Sequence, residues 1–253
     1  MDSNISKEHR VFTKFMLTIL LFSFQVLGVE TFKIAIYYPQ VPPYMYAADD
    51  NVPQGVVPEL LNAFFLGQPY QLQYVFENRQ RAELGVYEGK YDATVLAAKW
   101  TIDASALLFS QPIVNHRDFL YSLKPLQQNL ANLNKNSICL RRYYKYDALN
   151  IELDKGSLIR VDSDSEFDQF NMLVNQRCDL AYMNEHVATW LINNHFSTMV
   201  FHRNNVEADQ ADLTLALNPK WAGLKQQLDI FIKDAHHRGV IEKSLTQHMK
   251  KTK

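Results

Sequence analysis

Short apolar runs alternate with longer amphipathic stretches along most of the chain. Residues 32–37 and 91–98 are compact apolar runs, which predict buried strands. Residues 70–76 instead alternate, with Tyr70, Leu72, Tyr74 and Phe76 set against Gln71 and Gln73. That period of two predicts a half-buried strand. Further strands are predicted at 118–123, 137–140, 157–161 and 180–183, with extended segments at 198–202 and 212–217. Between them the apolar spacing becomes helical. Leu60, Leu61, Phe64 and Phe65 share one face, behind Pro58 in a first turn and Glu59 near a positive helix end. Residues 79–85 predict a short helix or turn. Phe167, Phe170, Leu173 and Val174 form another face, and Ser163 with Glu166 has capping-box spacing. Residues 187–192 predict a helix with Trp190 and Leu191 inward. Trp221, Leu224, Leu228, Phe231, Ile232 and Ala235 mark a long helix begun by Asn218-Pro219 and ended by Gly239, before a last helix over 240–249. Strands alternating with helices predict an α/β fold with mostly parallel sheets.

The amino terminus departs from this pattern. Lys7, Arg10 and Lys14 precede an apolar run over 15–27, and Val26-Leu27-Gly28 closes it. This predicts a secretory signal peptide over 1–28; the alternative is an uncleaved anchor. The run is shorter than the ~20 apolar residues of a spanning helix. No cysteine follows it to carry a lipid. Export to a Gram-negative periplasm is the expectation. Cys139 and Cys178 suit an oxidising compartment, either as a disulfide or as two small buried hydrophobes.

The remaining composition mainly excludes. In 253 residues, 47% apolar, there is material for one or two domains. The formal net charge is −1 and no Lys/Arg block stands out, so nothing points to nucleic acid. There is no tandem repeat, no G-x-S-x-G elbow, no metal-spaced His/Cys cluster and no Gly-rich phosphate loop.

Several motifs recur in a fixed order: Pro42-Pro43-Tyr44, then Gly55-Val56-Val57-Pro58-Glu59-Leu60-Leu61, Gly89-Lys90-Tyr91-Asp92, Thr101-Ile102-Asp103, Phe109-Ser110-Gln111-Pro112 and Gln176-Arg177-Cys178-Asp179-Leu180. In this order and spacing the chain resembles the periplasmic solute-binding proteins of the polar amino-acid type, the two-lobed type II group. Their corresponding motifs are a P-P-aromatic element, G-F-D-V-D-L-L, G-K-x-D, T-x-E-R, F-S-x-P and G-R-x-D-A. The resemblance implies two lobes, each a mostly parallel sheet flanked by helices. Lobe one would take 29–121 and 212–253, lobe two 122–211, and two strands would form the hinge. It also implies a monomer without cofactor that closes on a small-molecule solute, partnered by an inner-membrane ABC permease or a membrane sensor.

The departures bear on the ligand. Ala104 and Ser105 stand where the family carries the arginine that grips an α-carboxylate. Asn184 stands where it carries the aspartate that pairs with the ammonium; Glu185 is the next carboxylate. Tyr143 occupies the glycine of an R-G-Y-x-Y turn, with Tyr144 and Tyr146 matching its tyrosines. The candidate ligand-binding residues are Trp100, Tyr44, Lys99, Thr101, Arg117, Arg142, Tyr144, Asn184 and Glu185. Tyr44 could equally be packing its own loop, and Arg141 and Arg142 could be a solvated basic turn. The expected ligand is a small polar or cationic solute or an atypical amino-acid derivative. The chain is expected not to be an enzyme, although Glu185, His186, Lys99 and His116 could serve a dehydratase or lyase acting on a small carboxylate. His236 and His237 read as a solvated helix face.

Overall fold

The computed structural model describes residues 29–47, 52–125, 133–205 and 207–250. The proposed signal peptide therefore lies outside the described residues.

The chain opens with β1 (Glu30–Tyr37), whose Phe32, Ile34 and Ile36 are fully buried. A proline-rich loop leads to a small hairpin, β2 (Tyr46–Ala47) and β3 (Pro53–Gln54). Gly55, at φ 109°, then starts α1 (Val56–Phe65). A Cβ on Gly55 would lie 2.6 Å from the Tyr44 carbonyl oxygen, so the close approach requires glycine. Across it, Val56 N–H donates to the Pro43 carbonyl and Val57 N–H to that of Tyr44. The start of α1 thus fixes the loop that carries Tyr44.

The chain continues through β4 (Tyr70–Glu77), α2 (Arg79–Tyr87) and β5 (Ala93–Leu96). The run predicted as a strand to residue 98 stops at Leu96, and Ala98–Trp100 is a single 3₁₀ turn. Asp92, from the G-K-x-D motif, is structural. It accepts from Lys33 N–H (2.7 Å) and Trp221 Nε1 (2.8 Å) and pairs with Lys220 (2.6 Å). Those contacts tie the start of β5 to β1 and to the carboxyl-terminal helices.

β6 (Leu108–Phe109) precedes the long strand β7 (Val114–Ser122), which begins four residues before the predicted strand. Then follow β8 (Asn136–Arg141), α3 (Asn150–Asp154), β9 (Leu158–Ser163), α4 (Glu166–Val174), β10 (Leu180–Asn184) and α5 (Glu185–Asn194). The cap of α4 is Ser165, which accepts from Asp168 N–H. Ser163 and Glu166 do not form the predicted capping box: Ser163 remains in β9 and donates to Leu140 O, and Glu166 turns to Arg141. Within α5 Leu191 is buried, whereas Trp190 is half-buried and packs near Tyr46. Of the extended segment predicted at 198–202, only its end is strand, β11 (His202–Arg203). β12 (Asp209–Leu217), α6 (Ala222–His237) and α7 (Val240–His248) complete the chain. His237 is exposed, but His236 is not free in solvent. Its Nε2 lies 2.9 Å from Pro112 O, because α6 packs along that turn.

Among the described residues ten strands form one continuous sheet in the order β4-β1-β5-β12-β7-β10-β8-β9, with β6 beside β12 and β11 beside β7. The pairs β1–β5, β8–β10 and β8–β9 are parallel. β7 and β12 are the exception. They pair antiparallel over 114–118 with 209–213, and each then enters a different half of the sheet: β12 pairs with β5, and β7 with β10. These two strands are the hinge of a two-lobed α/β fold. In the β8 half, Cys139 and Cys178 form a disulfide with Cα atoms 5.8 Å apart, which settles the alternative left open by the sequence.

Candidate functional site

A cavity of about 90 Å³ lies where the two halves of the sheet face each other across the hinge. That is room for roughly half a dozen waters or one small solute. One wall comes from the β1–β5 side: Tyr37, Val41, Tyr44, Met45, Arg79, Leu96 and Trp100. The opposite wall supplies Arg141, Tyr144, Tyr146, Glu166, Tyr182 and Met183. His116 and Asp118, from the hinge strand β7, join the two.

The walls touch. Tyr44 Oη donates to Asn184 Oδ1 at 2.7 Å and lies 2.9 Å from His186 Nδ1. Lys145 Nζ donates to Thr101 O at 3.0 Å. The Arg79 guanidinium stands 5.7 Å from the centre of the Tyr144 ring. Tyr44 is 1% exposed, so it is a wall of the cavity as well as an anchor of its own loop. Asn184 is both the cap of α5, accepting from His186 and Val187 N–H, and a donor to Arg117 O.

Of the residues predicted to bind ligand, Trp100, Tyr44, Tyr144 and Asn184 meet in the cavity. The others are elsewhere. Lys99 turns to the hinge strand, where Nζ pairs with Asp209 Oδ1 at 2.6 Å and donates to Gln210 O. Thr101 Oγ1 donates to Ala98 O, closing its own turn. Arg117 and Glu185 pair with each other, Nε to Oε1 at 2.7 Å, and Arg203 adds a second cation at 3.2 Å. Arg142 is exposed near Asp164. The reason for Arg117 is strand geometry. Successive side chains of β7 point to opposite faces, so His116 and Asp118 face the cavity while Asn115 and Arg117 face away.

Sequence reasoning missed Arg79, Glu166 and Asp118 among the ionic groups of the cavity; Arg141 it offered as an anion contact or a solvated turn. Arg79, at the start of α2, donates to Trp100 O at 2.6 Å and pairs with buried Glu83 at 3.5 Å. Arg141 and Glu166 form a buried ion pair. Burial opposes the charge on Arg141, but the Glu166 carboxylate more than offsets this and holds the guanidinium charged. Asp118 lies 3.0 Å from His116 Nε2 and directly across the ladder from Asn184. The His-x-Asp spacing within a strand was the available signal; which face it took was not. Burial pushes the hydroxyls of Tyr37, Tyr44, Tyr144, Tyr146 and Tyr182 above the ordinary tyrosine range, so all remain protonated.

Burial also lowers the pKa of His186, against the pull of Glu185. The folded state thus binds fewer protons at this ring than the unfolded state. Its contribution to stability is complete above the ordinary histidine pKa of about 6.5 and is lost as pH falls from there through the lowered folded-state value. His186→Asn should flatten the fall in Tm on acidification, read by calorimetry at a series of pH values. An unchanged acid limb in the variant would assign it to other groups.

No protein-family model matches the sequence, and no curated protein matches it. Solved structures do match. The ligand-binding core of GluR0 in complex with L-glutamate superposes with a TM-score of 0.71 at 13% identity, covering 88% of this chain and 99% of that one. The amino acid ABC transporter substrate-binding protein AbpA of Streptococcus pneumoniae, bound to L-arginine, gives 0.72 at 16% identity, covering 87% and 94%. A histidine kinase sensor domain with similarity to periplasmic binding proteins gives 0.73 at 15%, covering 87% and 96%. With its crossing strands, facing sheet halves and the cavity between them, the chain has the two-lobed fold of the type II periplasmic binding proteins.

Proposed function

We propose that the protein is an exported solute-binding protein that closes two lobes on one small solute. The lobes would be 29–121 with 212–253, and 122–211. The observation that carries this reading is the convergence of both walls on one cavity, through Tyr44 with Asn184 and Lys145 with Thr101. A solute touching both walls favours the closed state by its differential affinity. The family's two amino-acid anchors are replaced here, by Ala104 and Ser105 and by Asn184. The solute is accordingly not a typical α-amino acid. Delivery to an inner-membrane ABC permease is the first role. Presentation to a membrane sensor is the second, favoured by the likeness to a kinase sensor domain.

A thermal-shift screen against amines, amino acids, small carboxylates and sugars tests the reading. A solute at a hundredfold its Kd stabilises by about 2.7 kcal/mol. Trp100 lines the cavity with its ring edge-on to His116 at 5.1 Å. Trp100→Ala should weaken a bound solute by about tenfold or more, the loss of one buried aromatic contact. A hit whose affinity Trp100→Ala leaves untouched would place binding outside the cavity. Consumption of the hit on incubation would point to an enzyme instead.

A further inference from the structure

We propose that the cavity selects a small organic ammonium ion that carries no carboxylate, held at Asp118 and His116. This rests on the cavity being the solute site. Among buried side chains, charge balance decides which ligand charge is accepted. Two cations line the cavity deeply, and the protein already neutralises both: Arg79 by Glu83, and Arg141 by Glu166. Lys145 is exposed, with its Nζ on Thr101 O. A ligand carboxylate would have to compete with those resident carboxylates for guanidinium groups already engaged.

Asp118 is the opposite case. Its side chain is 7% exposed, and among the described residues its one ion-pair contact is His116 Nε2 at 3.0 Å. The Tyr182 hydroxyl also hydrogen-bonds the carboxylate, but among the described residues no arginine or lysine pairs with it. A buried carboxylate with no cation is costly, and a bound cation removes that cost. The imidazole adds direction. With Nε2–H donated to Asp118, Nδ1 is left as a lone-pair acceptor. That atom is buried without a hydrogen-bond partner among the described residues, on a ring that lines the cavity. A ligand with both a positive charge and an N–H satisfies the two groups together. The rest of the lining suits an apolar body: Val41, Leu96, Met183 and Leu213, with Tyr44 and Trp100 flanking His116. An aromatic face also favours a cation.

The test is titration calorimetry on the purified secreted protein with matched probes. Phenethylammonium and 3-methylbutylammonium are compared with phenylalanine and leucine, which add only the carboxylate. N,N,N-trimethylphenethylammonium keeps the charge and removes every N–H. At least one primary ammonium should bind about tenfold or more tighter than its amino acid, and the trimethyl analogue about tenfold weaker than phenethylammonium. Asp118→Asn, with its far-ultraviolet spectrum unchanged, should weaken the ammonium by about tenfold to a hundredfold. Should that variant not fold, the wild-type selectivity alone decides. Amino acids binding as tightly as their amines would overturn the charge assignment while leaving solute binding in place. Equal binding of the trimethyl probe would overturn the role of Nδ1. Silence from every amine, amino acid, carboxylate and sugar would overturn solute binding itself, and this proposal with it.

Discussion

Glu166→Ala should destabilise the protein by about 3–5 kcal/mol, the cost of leaving a buried charge without its partner. The Arg141 side chain is 7% exposed and its guanidinium stacks 4.8 Å from the centre of the Tyr144 ring. Removing the carboxylate leaves a cation in a cavity wall, whereas removing both charges does not. The double variant Arg141→Met/Glu166→Leu should therefore recover most of the loss. Urea unfolding of the three proteins measures both effects. A loss below about 1 kcal/mol in Glu166→Ala would show that solvent reaches the guanidinium, as at a surface pair. The pair is also functional in the reading above, because it keeps Arg141 from acting as a carboxylate receptor.

The second large effect concerns the disulfide. Cys139 and Cys178 are 39 residues apart in sequence, and both are buried. Closing a loop of that length in the unfolded chain is worth about 4 kcal/mol in the chain-entropy account. The Cys139→Ala/Cys178→Ala variant should lose roughly 2–4 kcal/mol relative to the oxidised protein. Reductant should lower the urea midpoint of the wild type and leave the variant unmoved. A wild type indifferent to reductant would mean that the native thiols are free. The bridge ties β8 to the turn that leads into the neighbouring strand β10. Its loss should therefore loosen that half of the sheet before the half built on β1 and β5.

Most of the fold was legible because its elements are periodic. The alternation at 70–77 and the apolar faces of α1, α4 and α6 each contain enough repeats to fix their type. The ends were less legible. The 3₁₀ turn at Ala98–Trp100 continues the composition of the strand before it, so only tertiary packing marks the boundary. The glycine position of the R-G-Y-x-Y turn explains itself in the structure: Tyr143 holds φ 67°, a conformation in which a side chain is a burden. The site was half legible. Trp100, Tyr44, Tyr144 and Asn184 follow from their places in the motifs, since those places are set by strand ends and loops. Arg117 was named and Asp118 was not, and a one-residue change in phase exchanges the two faces of a strand. Glu166 was missed for another reason. Its partner Arg141 is distant in sequence, and no local pattern records a pairing of that kind. Arg79 and Glu83 do stand at i,i+4 on α2, but that spacing alone does not tell a pair in a cavity wall from one on a solvated helix face.

His116 and Asp118 lie on the segment of β7 that is itself half of the crossing, paired with Ala211 and Asp209 of β12. The groups proposed to hold the cation are therefore mounted on the axle rather than on either door. When such a strand twists, its side chains turn with the same backbone that sets the angle between the lobes. Occupancy and opening angle then become a single mechanical coordinate, with no separate transmission between them. A substitution at Ala211 or Asp209, directly across the ladder from these two groups, would retune both at once.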